Sequence, residues 1–258
     1  MGDWMYNLPV IWMAVVIFLL TFVVTAGLYG LVMGLARGER ARVFKAMSPG
    51  MLPPLGIIFG LFVAFLASQV WRDLDEAQAA VTREASALRA VVLLIGSFPG
   101  EPEAQMRQLI RRQIEEAAAD EWPAMARHSA TLKMIPAPLA EALQLTLSLR
   151  PGSEGQAIAQ REIVSALQAA LDARRHRIIV SESKVNWVKW CSVLLQAVFA
   201  LLAIAMVHSD NRITAAIAMG VFATGVAVSV VLIASHSGPF SGEISVGPEL
   251  LLQVIPDG

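Results

Sequence analysis

Four stretches of the chain run for twenty or more residues with no Asp, Glu, Lys or Arg in their interiors: Leu8 to Leu35, Leu52 to Trp71, Trp187 to Val207 and Ile213 to Ala234. About 20 apolar residues carry a helix across a bilayer, so each stretch predicts a transmembrane helix. The first reads as a membrane span rather than a secretory signal, because Asp3 is the only charge ahead of it and it outruns an apolar signal core. Trp4, Tyr6 and Trp12 near its start suit the aromatic belt of a membrane interface. Pro53 and Pro54 are tolerated at the head of the second helix. Trp187, Lys189 and Trp190 front the third, and only His208 to Arg212 separates it from the fourth.

Residues 72–186 follow a different pattern. Leu74, Ala77, Val81, Ala85, Leu88, Val92 and Ile95 recur every three or four positions, the period of a helical stripe. Nothing breaks the stripe at Trp71, so the second span is predicted to continue as one helix to about Gly96. At the far end Ser153 and Gln156 have capping-box spacing, and Ile158, Val164, Leu167, Leu171 and Ile178 carry a helix toward the third span. Pro99, Pro102, Pro123, Pro136, Pro138 and Pro151 punctuate shorter helices between them. No strand-like alternation persists for six residues. The predicted fold is an all-α integral membrane protein. Residues 1–71 hold transmembrane helices one and two, 72–186 a helical soluble insertion, 187–234 transmembrane helices three and four, and 235–258 a C-terminal tail.

Composition agrees. The 258 residues are 56% hydrophobic and 16% charged, whereas soluble domains run near 45–50% and about 25%. A net charge of −1 offers no basic surface for nucleic acid. The single cysteine, Cys191, allows no disulfide within the chain. His128, His176, His208 and His236 share no metal-ligand spacing with acids or Cys191. Nothing resembles a phosphate loop, a nucleophile elbow or a paired-carboxylate hydrolase site. No metal, cofactor or catalytic residue is therefore expected, and the chain does not read as an enzyme. The run Arg174-Arg175-His176-Arg177 reads as a solvated helix face near lipid headgroups, answered by Asp73, Asp75, Glu76 and Glu84 on the opposing helix.

Charge also bears on topology. The two short loops hold Arg37, Arg40, Arg42, Lys45 and Arg212, while the tails before Leu8 and after Ser235 hold no Lys or Arg. Positive-inside counting then puts the termini and the insertion outside the cytoplasm. Arg72, Arg83, Arg174, Arg175, Arg177 and Lys184, flanking the insertion, pull the other way.

Inside the spans, small residues recur every fourth position: Gly56, Gly60, Ala64 and Ser68 in the second, Ala26, Gly30 and Gly34 in the first, Ala216, Gly220 and Thr224 in the fourth. Such stripes let helix backbones approach closely in lipid, either within one subunit or between second spans around a symmetry axis. Span interiors without ionisable groups argue against a proton relay. The polar residues that remain (Thr21, Thr25, Ser68, Gln69, Gln196, Thr224 and Ser229) are compatible with a passive pore gated by an apolar constriction, or with a protein that transports nothing.

Three segments together resemble the bestrophin-like domain family of bacterial four-span membrane proteins. They are Trp4 to Trp12 with Leu8-Pro9, Leu55 to Pro99 with Trp71, Glu84-Ala85 and Phe98-Pro99, and Pro239 to Val246 with Pro239, Phe240 and Gly242. Just before Pro239 the family often has Asp, where this chain has Ser237. The family is in turn distantly similar to bestrophins, pentameric anion channels. Gly60-Leu61-Phe62-Val63 followed by Trp71 is similar to the bestrophin second helix, whose apolar residues form the pore neck. The resemblance puts Ile57 and Leu61 at neck positions one turn apart and Pro53 at a third, where an apolar ring is expected. It also implies a cytoplasmic insertion, against the loop charge count, and a home in the bacterial inner membrane.

Two functions remain open on the sequence. One is a homo-oligomeric ring, with a pentamer among the options, conducting ions, with monovalent anions as first candidates, lined by the second span. The other is a non-conducting membrane scaffold or sensor whose helical insertion binds a partner.

Overall fold

Pro9 opens the first helix. The computed structural model describes residues 9–36, 43–44, 48–133, 135–183 and 185–256; Trp4, Tyr6, Arg37, Arg40, Arg42, Lys45 and Lys184 lie outside them. Helix α1 spans Val10–Leu35. Its hydroxyls turn back on their own helix: Thr21 donates to the Ile17 carbonyl and Thr25 to the Thr21 carbonyl, both at 2.8 Å. Such back-bonding lets a hydroxyl sit in hydrocarbon with its donor satisfied.

The Ser48 side chain accepts from Gly50 N–H across a 3₁₀ turn, Pro49–Met51, which leads into α2, Leu52–Leu94. At 43 residues this helix is roughly 65 Å long, continuous through Trp71 as its periodicity predicts, and it ends in a 3₁₀ turn, Ile95–Ser97. Gly100, with φ +96°, turns the chain into α3, Glu101–Glu116, whose first turn carries Pro102. A π-helical turn, Ala117–Glu121, follows, then α4, Trp122–Ala126, and α5, Ala137–Ser148. Helix α6, Glu154–Ser181, starts at the predicted box. Ser153 Oγ accepts from Gln156 N–H at 3.2 Å, while Gln156 reaches back to Gly152 N–H and across to the Ser97 carbonyl. The remaining spans are α7, Trp187–Val207, and α8, Arg212–Ser235, each started by an asparagine whose side chain accepts from the first turn. A short helix, α9, Glu249–Leu252, closes the chain. Among the described residues there is no strand.

Among the described residues, four helices are long and apolar enough to cross a membrane: α1, α7, α8 and the helix that contains α2, whose apolar part ends at Trp71. The protein is an all-α integral membrane protein. The chain divides into two compact units, Met1–Trp71 with Lys184–Ser237, and Arg72–Ser183 with Gly238–Gly258. In the first, Met13 and Ile17 of α1 share a core with Phe59, Leu66 and Val70 of α2, Trp190, Val193 and Ala197 of α7, and Val226 and Val230 of α8. In the second, the predicted stripe (Ala77, Val81, Ala85, Leu88 and Ile95) is buried with Ile163, Leu167 and Ala170 of α6 and Met106, Ile110 and Ile114 of α3. The tail belongs to this second core through Phe240, Leu251 and Val254.

Candidate functional site

The membrane half of α2 has two unlike faces. Phe59, Leu66, Ala67 and Val70 are buried, and the Phe59 ring lies against Phe222 of α8 at 5.4 Å. On the other side Ile57 is 63% exposed, Leu61 53% and Phe65 72%. These three, four residues apart, form one ridge. Gly56, Gly60 and Ala64 form the next, and they too are exposed. A Cβ added at Gly56 or Gly60 would meet nothing within 4 Å: no atom of the chain stands where it would go. Ser68 is half-buried and Trp71 exposed. Thr224 and Ser229 are satisfied on their own helix, donating to Gly220 and Gly225, and Gln69 of α2 accepts from Lys189 Nζ of α7.

The second unit holds a buried ionic cluster that overturns the reading of the Arg174–Arg177 run as a solvated face. Arg175 is exposed, but Arg174 is nearly buried and Arg177 fully so, at 0% exposure. Arg177 Nε donates to Glu84 Oε2 at 2.7 Å and its Nη2 to Glu84 Oε1 at 3.2 Å and Glu121 Oε2 at 2.7 Å. Arg174 pairs with Glu121 Oε1 at 2.6 Å. Two acids and two guanidinium groups thus neutralise one another, which a buried charge requires. The Arg177 guanidinium lies over the Trp122 ring at 4.2 Å, a cation–π contact, and its Nη1 faces Met125 Sδ at 3.4 Å. Burial pushes the Glu84 carboxyl up from its ordinary range, with Arg177 pulling against it. Burial works to lower Arg177, yet Glu84 and Glu121 together hold it above its ordinary value. The guanidinium is the fixed charge of the cluster.

Trp122 links this cluster to the tail. Its Nε1–H donates to the Val246 carbonyl at 3.0 Å, and its ring meets Phe240 edge-on, with centroids 6.1 Å apart. Val246 N–H donates to the Pro239 carbonyl at 2.8 Å, closing Pro239–Val246 into a loop. Pro239 and Phe240 are buried inside it, and Gly242 is exposed with φ +84°. Among the sequence-selected positions, then, Glu84 meets Arg177, Phe240 meets Trp122 and Pro239 is tied to Trp122 through Val246, whereas Gly242 is exposed in the loop and Pro99 at the turn before α3. Ser237 donates its hydroxyl to the Ala234 carbonyl at 2.9 Å.

Compared with known families, the chain matches the Bestrophin-like domain over residues 12–251. The chain belongs to that family. No curated protein matches it. Among solved structures, this Bestrophin-like chain is similar to two point mutants of a bacterial bestrophin homologue from Klebsiella pneumoniae. The TM-scores are 0.68 and 0.69 at 11% identity, covering 95% and 94% of this chain and 97% and 96% of theirs. A third structure, of a membrane protein, gives 0.65 at 10% identity over 92% of this chain and 96% of that one. At such identities the likeness is one of fold.

Glu121 and Trp122 in this Bestrophin-like fold were not picked out from the sequence; Glu84 was expected to answer the Arg174–Arg177 run, and does so at Arg177, but in the core rather than on a solvated face. One signal was there. Arg177 stands in the phase of Ala170, Ala173 and Ile178, and Glu84 in that of Val81 and Leu88. A charge in register with an apolar stripe marks a buried pair rather than a solvated face. Glu121 is the last residue of a π-helical turn that no local pattern announces.

Proposed function

We propose that this protein is an ion channel: a homo-oligomer, pentameric by analogy with bestrophins, in which the membrane half of α2 surrounds a central path. The exposed ridge of Ile57, Leu61 and Phe65 beside the small ridge of Gly56, Gly60 and Ala64 carries this reading. It supplies apolar side chains without charge for a constriction, and adjacent positions small enough for neighbouring α2 helices to approach. Rings of Ile57 and Leu61 one turn apart form a neck that gates by expelling water, and monovalent anions are the first permeants. The bestrophin kinship supports the insertion lying in the cytoplasm and the bacterial inner membrane as the site of action.

Subunit number, by native mass spectrometry of the full chain, comes first; a closed ring of about five is expected, and a monomer or dimer removes the axial path. Flux of chloride into vesicles follows. Leu61→Ala widens the neck and is expected to raise the flux several-fold, because wetting a narrow apolar ring depends steeply on its radius. Unchanged flux in Leu61→Ala takes Leu61 out of the pathway.

A further inference from the structure

The membrane unit contains a cavity of about 460 Å³ at the end where α2 begins and α7 finishes. Gly56 of α2, Ala200 and Ile204 of α7, and Ala218 and Phe222 of α8 line it, and His208 stands at its rim. Its walls are mostly hydrocarbon, with Gly56, Ala200 and Ala218 leaving the room, and it is open to the surface on the spans themselves, where the surrounding medium is lipid rather than water. The polar boundary is close. The Tyr29 hydroxyl donates to the Arg212 carbonyl at 3.3 Å, an aromatic residue at interface depth, and Arg212 is exposed at the first turn of α8. His208 keeps Nδ1 on the Ile204 carbonyl at 2.9 Å, leaving its other ring nitrogen for a partner. The connection that feeds α2 is basic by composition, with Arg37, Arg40, Arg42 and Lys45 against Glu39.

We infer that this groove holds one acyl chain of an anionic phospholipid, its headgroup meeting the cationic Arg212 near the rim. The apolar walls select a chain, since each buried methylene favours occupancy. The positive rim selects a headgroup, since each nearby Lys or Arg favours anionic over zwitterionic lipid. The inference stands on the groove and its rim and does not require conduction.

The test is native mass spectrometry of the full chain, purified in detergent and offered phosphatidylglycerol or phosphatidylcholine of equal chain length. One phosphatidylglycerol per chain is expected to survive washing, with about a tenfold preference over phosphatidylcholine. Ala218→Phe fills the groove from the α8 wall, away from the α2 ridges, and is expected to lose that lipid while its unfolding temperature stays put. Arg212→Gln should keep the lipid but narrow the preference. Equal retention of the two lipids overturns the choice of headgroup. A folded Ala218→Phe that still holds its lipid overturns the groove. If the wild type carries no lipid and Ala218→Phe changes only the subunit number, a second copy of the chain fills the groove and the inference is wrong.

Discussion

Along α2, residues 52–71 leave Ile57, Ile58, Leu61, Phe62 and Phe65 open, whereas residues 72–94 bury Ala77, Ala80, Val81, Leu88 and Val91 to 1% exposure or less. The backbone is the same uninterrupted helix, so the difference lies in the solvent each half is built for. In lipid an exposed leucine costs nothing, and association relies on packing and fit. In water the same side chain must be covered, at about 25 cal/mol per Å² of apolar surface, and a charge inside the core must be paired. Stability therefore fixes the residues of the second half and leaves those of the exposed ridge free to be set by what the helix does. That is why the ridge, rather than the densely packed stripe, carries the functional proposal.

The comparison breaks first at Arg177. Arg177→Met leaves the buried Glu84 and the half-buried Glu121 with only Arg174 to answer them, and is expected to destabilise the second unit by about 3–5 kcal/mol. Denaturant unfolding in detergent, followed by tryptophan fluorescence, measures it. A loss below about 1 kcal/mol means that water reaches the cluster. Glu84→Gln should cost less, because it leaves Arg177 on Glu121 and supplies the neutral side chain that burial favours. Next comes one substitution made in both halves. Leu88→Ala opens a cavity in the core and is expected to cost about 2–5 kcal/mol, while Leu61→Ala, tested on the same detergent-solubilised chain, should stay within about 0.5 kcal/mol. Equal losses at the two sites would mean that Leu61 is packed after all.

How much of this was legible follows the same division. The apolar runs set the spans: α7 covers Trp187–Val207 as predicted, and α8 extends one residue beyond the predicted run at each end. The period of Leu74 to Ile95 revealed that α2 continues past Trp71, because a helical stripe needs only local spacing. Ser153 and Gln156 announced the start of α6 for the same reason. Glu84 was expected opposite the basic run, but what escaped was the burial that depends on phase between distant segments. Whether Arg177 meets water or Glu84 depends on a partner 93 residues away, and Trp122 becomes informative only when Val246 and Phe240 arrive beside it. The open ridge of α2 was legible as a list of residues, but not as a face, since span sequences are apolar all round.

Smaller effects sharpen the contrast through the tail. Trp122→Phe keeps a ring for Arg177 and Phe240 but removes the donor to the Val246 carbonyl, at about 1.5 kcal/mol. Limited proteolysis should then cut the Pro239–Val246 loop faster, while an unchanged rate means that the hydrogen bond does not hold it. The last pair of variants sets one glycine in each environment. Gly242 has φ +84°, a conformation that costs an L-residue about 1 kcal/mol, so Gly242→Ala should open the loop roughly fivefold more often at that energy. Hydrogen exchange at the Val246 amide, whose bond to Pro239 closes the loop, reads this directly. Gly60 lies mid-helix with open space where a Cβ would go, so Gly60→Ala should leave the isolated chain as stable or up to about 1 kcal/mol more so. The two substitutions are expected to have opposite signs because one glycine is fixed by backbone geometry and the other by nothing inside its own chain. If Gly60→Ala stabilises the chain yet weakens the oligomer, the requirement for a small residue lies between subunits, where the channel proposal puts it. If it leaves both untouched, the small ridge is not an interface and α2 helices do not meet along it.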